Sequence, residues 1–460
     1  MRTEITYTWL ADKCVCALLV LSMLSVVKVE IVGFSLYSLL LLVIASVWLI
    51  CRIIYAGRED TVFPTVRYMT DTAAIAAILY AIFSVIVKLF DTSEEGWIDF
   101  SWNAEMIALA VICLLVSSGI EFKMFYLDLL SYSGLLVAGI YLVGRIEEGW
   151  RSNLMEAFFA DSAQVSSYFL LTAMVSVYAY CVCRDKMRSV FYLMVSGISF
   201  LVLFLNHNII SLWLMGIYFL AVPVVLRPTA ILVKRIMQLF FMYLFMLSNM
   251  SLLAEYTQII QLGQSYSLAH SVYIDLLVAA GGLVFFHYWD RIPEGMDLER
   301  LVLRKMQKAY RFVLTTVILV FMVVILGGDW AALPEGISYD MVKSFAVPLA
   351  EAVGRNESGI LQCFRTIGVL PGIFLIVSIV LFTGRMHRNY ASDKPVTAIL
   401  ILISGIFQIQ LLFWNPGIHN IVCYFYLLAT ACFYKEEREQ MESVGIKISD
   451  LKLKVQEIQL

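Results

Sequence analysis

What most constrains this chain is its succession of apolar runs, each about 20 residues long, the length that crosses the hydrocarbon core of a bilayer. Inside lipid no water is available to backbone N–H and C=O groups, so a spanning segment is a helix or a strand of a closed barrel. The runs here are continuous rather than alternating, which selects helices. Fourteen runs qualify, at 12–29, 34–54, 69–90, 103–121, 125–144, 163–183, 188–206, 208–226, 234–255, 268–288, 311–328, 358–382, 397–414 and 418–434. Composition agrees, with 61% hydrophobic and 15% charged residues, against roughly 45–50% and 25% in soluble domains. A soluble enzyme, a nucleic-acid binder and a disordered chain are thereby excluded. The expected fold is an all-α polytopic membrane protein of about 14 transmembrane helices.

Charge placement sets the expected orientation. With the N-terminus in the cytoplasm and strict alternation, seven of the 33 Lys and Arg fall outside: Lys28, Lys88, Arg145, Arg151, Lys343, Arg355 and Arg365. The remaining 26 lie inside, as the positive-inside rule asks. Both termini are therefore expected in the cytoplasm. No signal-peptide cleavage pattern precedes the first run, so that run is expected to stay as a helix. Of nine cysteines only Cys363 is plainly outside, so disulfides are not expected to hold the fold.

The chain divides into a single helical domain over 1–434 and a charged cytoplasmic tail over 435–460, whose apolar positions suit a short amphipathic helix. Three outer connections are longer than the rest: 91–102, 145–162 and 329–357. The last, between spans 11 and 12, is the largest. Long ordered loops tend to carry function. After it, Asn356 reads as an N-cap and Glu357 as a first-turn acid. Ser358, Gln362 and Arg365 then share one helix face. Arg355 beside this helix start and Arg365 two turns on would attract a phosphate-bearing ligand, although Arg365 can equally pair with an outer carboxylate. Three histidines, His207, His270 and His419, sit at outer helix ends, where an imidazole can act as a general base or stand as a plain interfacial residue. Asp275, inside span 10, is either a structural hydrogen-bonding group or a functional carboxylate. Asp128 is expected to reach out to the inner interface.

Three stretches carry a resemblance to a known family. They are Asp161-Ser162-Ala163-Gln164 leading into span 6, Asn206-His207-Asn208 leading into Ile209-Ile210-Ser211-Leu212-Trp213-Leu214, and Arg355-Asn356-Glu357-Ser358-Gly359-Ile360-Leu361-Gln362 followed by Gly368-Val369-Leu370-Pro371-Gly372. Together they resemble the bacterial O-antigen polymerase and O-antigen ligase superfamily, integral membrane enzymes that build or attach surface polysaccharides. The third stretch is similar to that family's His-Asn-x-x-Leu-Gln segment and the Gly-x-x-Gly helix after it. Two departures stand out. The family's Ser-Arg before span 8 lacks its Arg here, and Arg355 stands where the family has its loop His.

The resemblance implies a GT-C-like fold in a bacterial cytoplasmic membrane. It also implies inverting transfer of a glycan from a polyprenyl-diphosphate-linked oligosaccharide on the extracytoplasmic face. Arg355 and Arg365, with Lys343, Arg145, Arg151, Asn356, Gln362, His207 and Asp275 around them, would then bind diphosphate and glycan. His270 or His419 would take the acceptor proton, with Glu357 as the substitute. No residues have metal-ligand spacing, so a metal-independent reaction without a cofactor is expected. Membrane lipids, a chain-length regulator and a flippase are the partners implied, and no nucleic acid. Two other readings remain open: a flippase for lipid-linked oligosaccharide, and a non-catalytic partner of a polysaccharide synthase.

Overall fold

The computed structural model describes residues 7–24, 30–31, 34–55, 72–90, 100–117, 124–147, 162–183, 185–206, 208–226, 229–257, 272–291, 358–389, 395–413 and 418–433, with single positions between 312 and 323. The tail 435–460 and the large loop 329–357 lie outside the described residues. Within them the chain is almost entirely helical. In order, the helices are α1 (Tyr7–Leu24), α2 (Leu36–Tyr55), α3 (Thr72–Phe90), α4 (Phe100–Ser117), α5 (Met124–Glu147), α6 (Ser162–Val182), α7 (Lys186–Leu205), α8 (Ile209–Val225), α9 (Ala230–Thr257), α10 (Val272–Trp289), α11 (Gly359–Thr366), α12 (Val369–Asn389), α13 (Pro395–Phe413) and α14 (Ile418–Phe433). Between α1 and α2, strands β1 (Glu30–Ile31) and β2 (Phe34–Ser35) form a two-residue antiparallel pair, with Glu30 opposite Ser35. Six helical segments among the described residues are long and apolar enough to cross a membrane: Thr72–Phe90, Phe125–Val143, Gln164–Val182, Lys186–Leu205, Ala230–Leu247 and Val369–Met386. This is the architecture an all-α multi-pass membrane protein requires.

Helix α6 is the hub. Its apolar stretch is 94% buried, against 28% for α9 and 33% for α12. It packs on α5, α7, α8, α9, α13 and α14. Hydrophobic segregation gives helices little drive to associate in lipid, so dispersion packing and interhelical hydrogen bonds carry the assembly. Buried tyrosines supply both. The Tyr168 hydroxyl donates to Ser133 Oγ at 3.1 Å, linking α6 to α5. Tyr218 donates to the Met174 carbonyl at 2.7 Å, and Tyr243 to the Leu212 carbonyl at 2.8 Å. Elsewhere stacked rings join neighbours, with Phe83 on Phe374 between α3 and α12, and Phe407 on Tyr424 between α13 and α14. The opposite surfaces of α10 and α12 expose Leu276, Leu283, Val284, Ile373, Val377 and Val380, as lipid-facing positions do.

At its C-terminal end α6 is held by Arg235 of α9. The guanidinium donates to the Tyr180 carbonyl at 2.7 Å and to the Cys183 carbonyl, and lies over the Tyr180 ring. A cation at a helix C-terminus satisfies carbonyls that have no helical partner and meets the negative end of the dipole. Nearby, Lys234 of α9 pairs with Asp290 after α10. Asp128 of α5 is half-buried and accepts the Tyr192 hydroxyl of α7.

Candidate functional site

Two expectations about the helix after the large loop need correction. The expected span 358–382 is two helices, because α11 ends at Thr366 and α12 starts at Val369. Gly368 between them has φ 101°, a conformation that a side chain disfavours. Pro371 then sits in the first turn of α12, where its missing N–H costs nothing. The segment folds back closely, since a Cβ on Gly372 would meet the Phe364 ring at 2.8 Å. The N-cap is Ser358, not Asn356. The Ser358 hydroxyl makes no cap hydrogen bond and reaches the Leu411 carbonyl of α13 at 3.4 Å.

Most of the residues expected to bind diphosphate or take a proton, namely Arg151, His207, His270, Lys343, Arg355, Asn356 and Glu357, lie outside the described residues. For Arg145, Asp275, Gln362 and His419 the backbone is described and the side chain is not. Arg145 falls in the last turn of α5, Asp275 in the first turn of α10, Gln362 within α11, and His419 is the second residue of α14. Arg365 is described. It is exposed in the last turn of α11, where the helix dipole favours a cation in any case.

What the structure does bring together is a set of amide and hydroxyl side chains around the N-terminal turns of α6. Asn420 of α14 donates from Nδ2 to the Gln164 carbonyl at 2.9 Å. Gln410 of α13 donates from Nε2 to Ser167 Oγ at 2.6 Å. Asn206, at the end of α7, donates from Nδ2 to Ser166 Oγ. Asn208 caps α8, accepting the Ser211 N–H at 3.1 Å. Four helix ends thus meet at α6, and polarity sits where the helices are otherwise apolar.

Several atoms of this set have no hydrogen-bond partner from the protein although they are buried: Gln164 Oε1, Gln410 Oε1, Asn208 Nδ2 and Ser211 Oγ. Gln410 and Ser211 are fully buried, and Asn208 is 5% exposed. Gln164 and Asn206 are half-buried. A buried polar group without a partner costs about 1–3 kcal/mol, so four of them in one region call for an explanation.

A second buried group was missed by reading the sequence. Glu105 of α4 is fully buried, the one charged side chain of that kind among the described residues. It accepts the Ser22 hydroxyl of α1 at 2.7 Å, and Cys423 of α14 lies beside both. Cys423 is three residues on from Asn420, so the carboxylate is about one helical turn from the amide set along α14. The signal was available, since Glu105 interrupts an apolar run and an acid within a span ordinarily marks function. It was obscured by the four acids of the loop just before it, Asp91, Glu94, Glu95 and Asp99.

Comparison of the chain with protein-family models, with curated proteins and with solved structures gave no match.

Proposed function

We propose that this protein is a membrane glycosyltransferase. It polymerises or ligates polyprenyl-diphosphate-linked oligosaccharide at the extracytoplasmic face of a bacterial cytoplasmic membrane, through a bundle of 14 spans with both ends inside. One observation carries the reading. Residues within or just beyond the three separated stretches that resemble the O-antigen polymerase and ligase superfamily are linked at one end of the bundle through hydrogen bonds that run by way of α13. Ser358 reaches Leu411, the neighbouring Gln410 reaches Ser167, and the adjacent Ser166 receives Asn206. Residues up to 256 positions apart in sequence share that end.

In the proposed reaction an acceptor hydroxyl oxygen attacks the anomeric carbon. The bond from that carbon to the diphosphate oxygen breaks, with inversion. The acceptor proton passes to a base, for which His270 and His419 are the candidates and Glu357 the substitute. Arg355 and Arg365 stabilise the charge that grows on the departing diphosphate. Arg365→Ala and Arg355→Ala are each expected to abolish polymer formation in cells while membrane protein levels hold. Polymer of wild-type length in either variant would remove the anion-site assignment.

A second reading rests on Glu105. A carboxylate wholly inside a bundle suits ion coupling, so the protein would instead carry a lipid-linked oligosaccharide across the bilayer. Glu105→Gln would then stop lipid translocation.

A further inference from the structure

We infer that the face of α10 turned away from α9 is a binding site for one anionic phospholipid. Arg291, beside His287, holds the headgroup phosphodiester, and an acyl chain lies along Leu276, Leu283 and Val284. The inference needs α10 to stand in a bilayer and is independent of the reaction proposed above.

Helix α10 has two unlike faces. On one, Val278 and Gly282 are buried, and Phe285 and Phe286 pack on Phe241 of α9. Trp289 stacks on Phe285 at 4.8 Å and donates from Nε1 to the Ala230 carbonyl at 2.9 Å, which pins the end of α10 to α9. On the other face Leu276, Leu283 and Val284 are 57–74% exposed. Those positions, with exposed Ala280 between them, continue at three- and four-residue steps to His287 and Arg291, both exposed, so one open stripe runs from apolar to polar side chains. Leu276 and His287 are 11 positions apart, about 17 Å along a helix. That is close to half of the roughly 30 Å hydrocarbon core. The stripe therefore has the length of one leaflet, which a lipid tail fills and a free phosphate does not.

The headgroup chemistry follows from what Arg291 is left to do. Its Nη2 donates to His287 Nε2 at 2.9 Å, and its guanidinium lies 5.6 Å from the centre of the Tyr288 ring. Neither partner is an anion, and among the described residues no carboxylate pairs with it. Arg235 shows the contrast, because its guanidinium is spent on the carbonyls of α6. Arg291 keeps donors of a fixed planar fork, and the two free oxygens of a phosphodiester match that fork. The neighbouring acid, Asp290, is offset by Lys234, which pairs with it. Tyr288 and Trp289 stand at the same level, as aromatic residues do at the headgroup boundary. A cation that only fixes topology predicts something different. It acts through the charge summed over a loop, so any nearby cation substitutes for it and no particular lipid is held.

The test is native mass spectrometry of the purified full chain in detergent, titrated with dioleoyl phosphatidylglycerol and with dioleoyl phosphatidylcholine, which carries the same tails on a zwitterionic headgroup. Glycan transfer plays no part in the readout, so the inference stands or falls apart from the glycosyltransferase reading. The wild type is expected to hold its first phosphatidylglycerol about tenfold more tightly than phosphatidylcholine, the effect of one charge-assisted contact. Arg291→Gln should remove that preference and Arg291→Lys should keep part of it. Arg388→Gln, which removes an exposed cation at the end of α12, should leave it intact. Glycerophosphoglycerol and inorganic phosphate, which lack tails, should not displace the lipid at equal concentration. The inference is overturned if the wild type does not distinguish the two lipids, or if Arg291→Gln keeps the preference. It is equally overturned if Arg388→Gln lowers the preference as far as Arg291→Gln does, or if either tailless anion displaces the lipid. A second copy of the chain on this face would also overturn it, and would show as Leu283→Cys chains joined by a disulfide that phosphatidylglycerol does not suppress.

Discussion

At the scale of the residue, the side chains that matter are those that carry polarity into an apolar bundle. The Ser22 hydroxyl is a donor to the buried Glu105 carboxylate. Ser22→Ala should therefore cost about 1–3 kcal/mol, read as a lower melting temperature in detergent, whereas Glu105→Gln, which still accepts that hydroxyl, should lose less. An unchanged melting temperature for Ser22→Ala would show that this hydrogen bond contributes nothing. Arg235 is the counterpart at the other end of α6. Arg235→Met keeps most of the length but leaves the Tyr180 and Cys183 carbonyls without their cation. We expect a comparable drop in the melting temperature, with partial recovery in Arg235→Lys, which restores charge without the planar fork. Such partners are hard to read from sequence. Arg235 counts there as one more inner cation, and nothing in the chain announces that it reaches 55 residues back to Tyr180. Gln410 and Asn420 were passed over for a related reason. An uncharged amide barely disturbs an apolar run, and its meaning depends on what stands opposite.

At the scale of the element, the apolar runs locate helices well, because hydropathy responds to lipid rather than to neighbouring side chains. They locate breaks badly. Nothing in the apolarity of Ile367, Val369 and Leu370 interrupts the run between α11 and α12, yet Gly368 turns the chain there. The Gly-then-Pro order of Gly368 and Pro371 was the available signal. Gly368→Ala should destabilise the turn by more than about 1 kcal/mol, since its φ is positive. Gly372→Ala should disturb the packing of α11 on α12, because its Cβ would meet the Phe364 ring at 2.8 Å. Phe364→Leu should partly relieve that second defect and not the first. Equal response of both variants to Phe364→Leu would contradict the distinction. The same turn fixes where Arg365 stands, so under the proposed mechanism a shifted α11 should also reduce glycan transfer.

At the scale of the molecule, the sequence makes an all-helical membrane protein plain, and the described helices agree with it. The assembly of one polar end from α6, α7, α8, α13 and α14 was not legible, because it depends on which helices surround α6. Charge asymmetry predicts which end faces outward, and the proposed chemistry needs the polar end to be the outer one. The most direct measurement is reconstitution of the purified chain into vesicles with a lipid-linked oligosaccharide bearing a labelled sugar. Accessible product is then followed with neither nucleotide nor divalent metal added. The account predicts that labelled glycan grows in length or transfers to acceptor, and that Arg365→Ala abolishes this. Movement of labelled lipid across the vesicle membrane with no new glycosidic bond would contradict it.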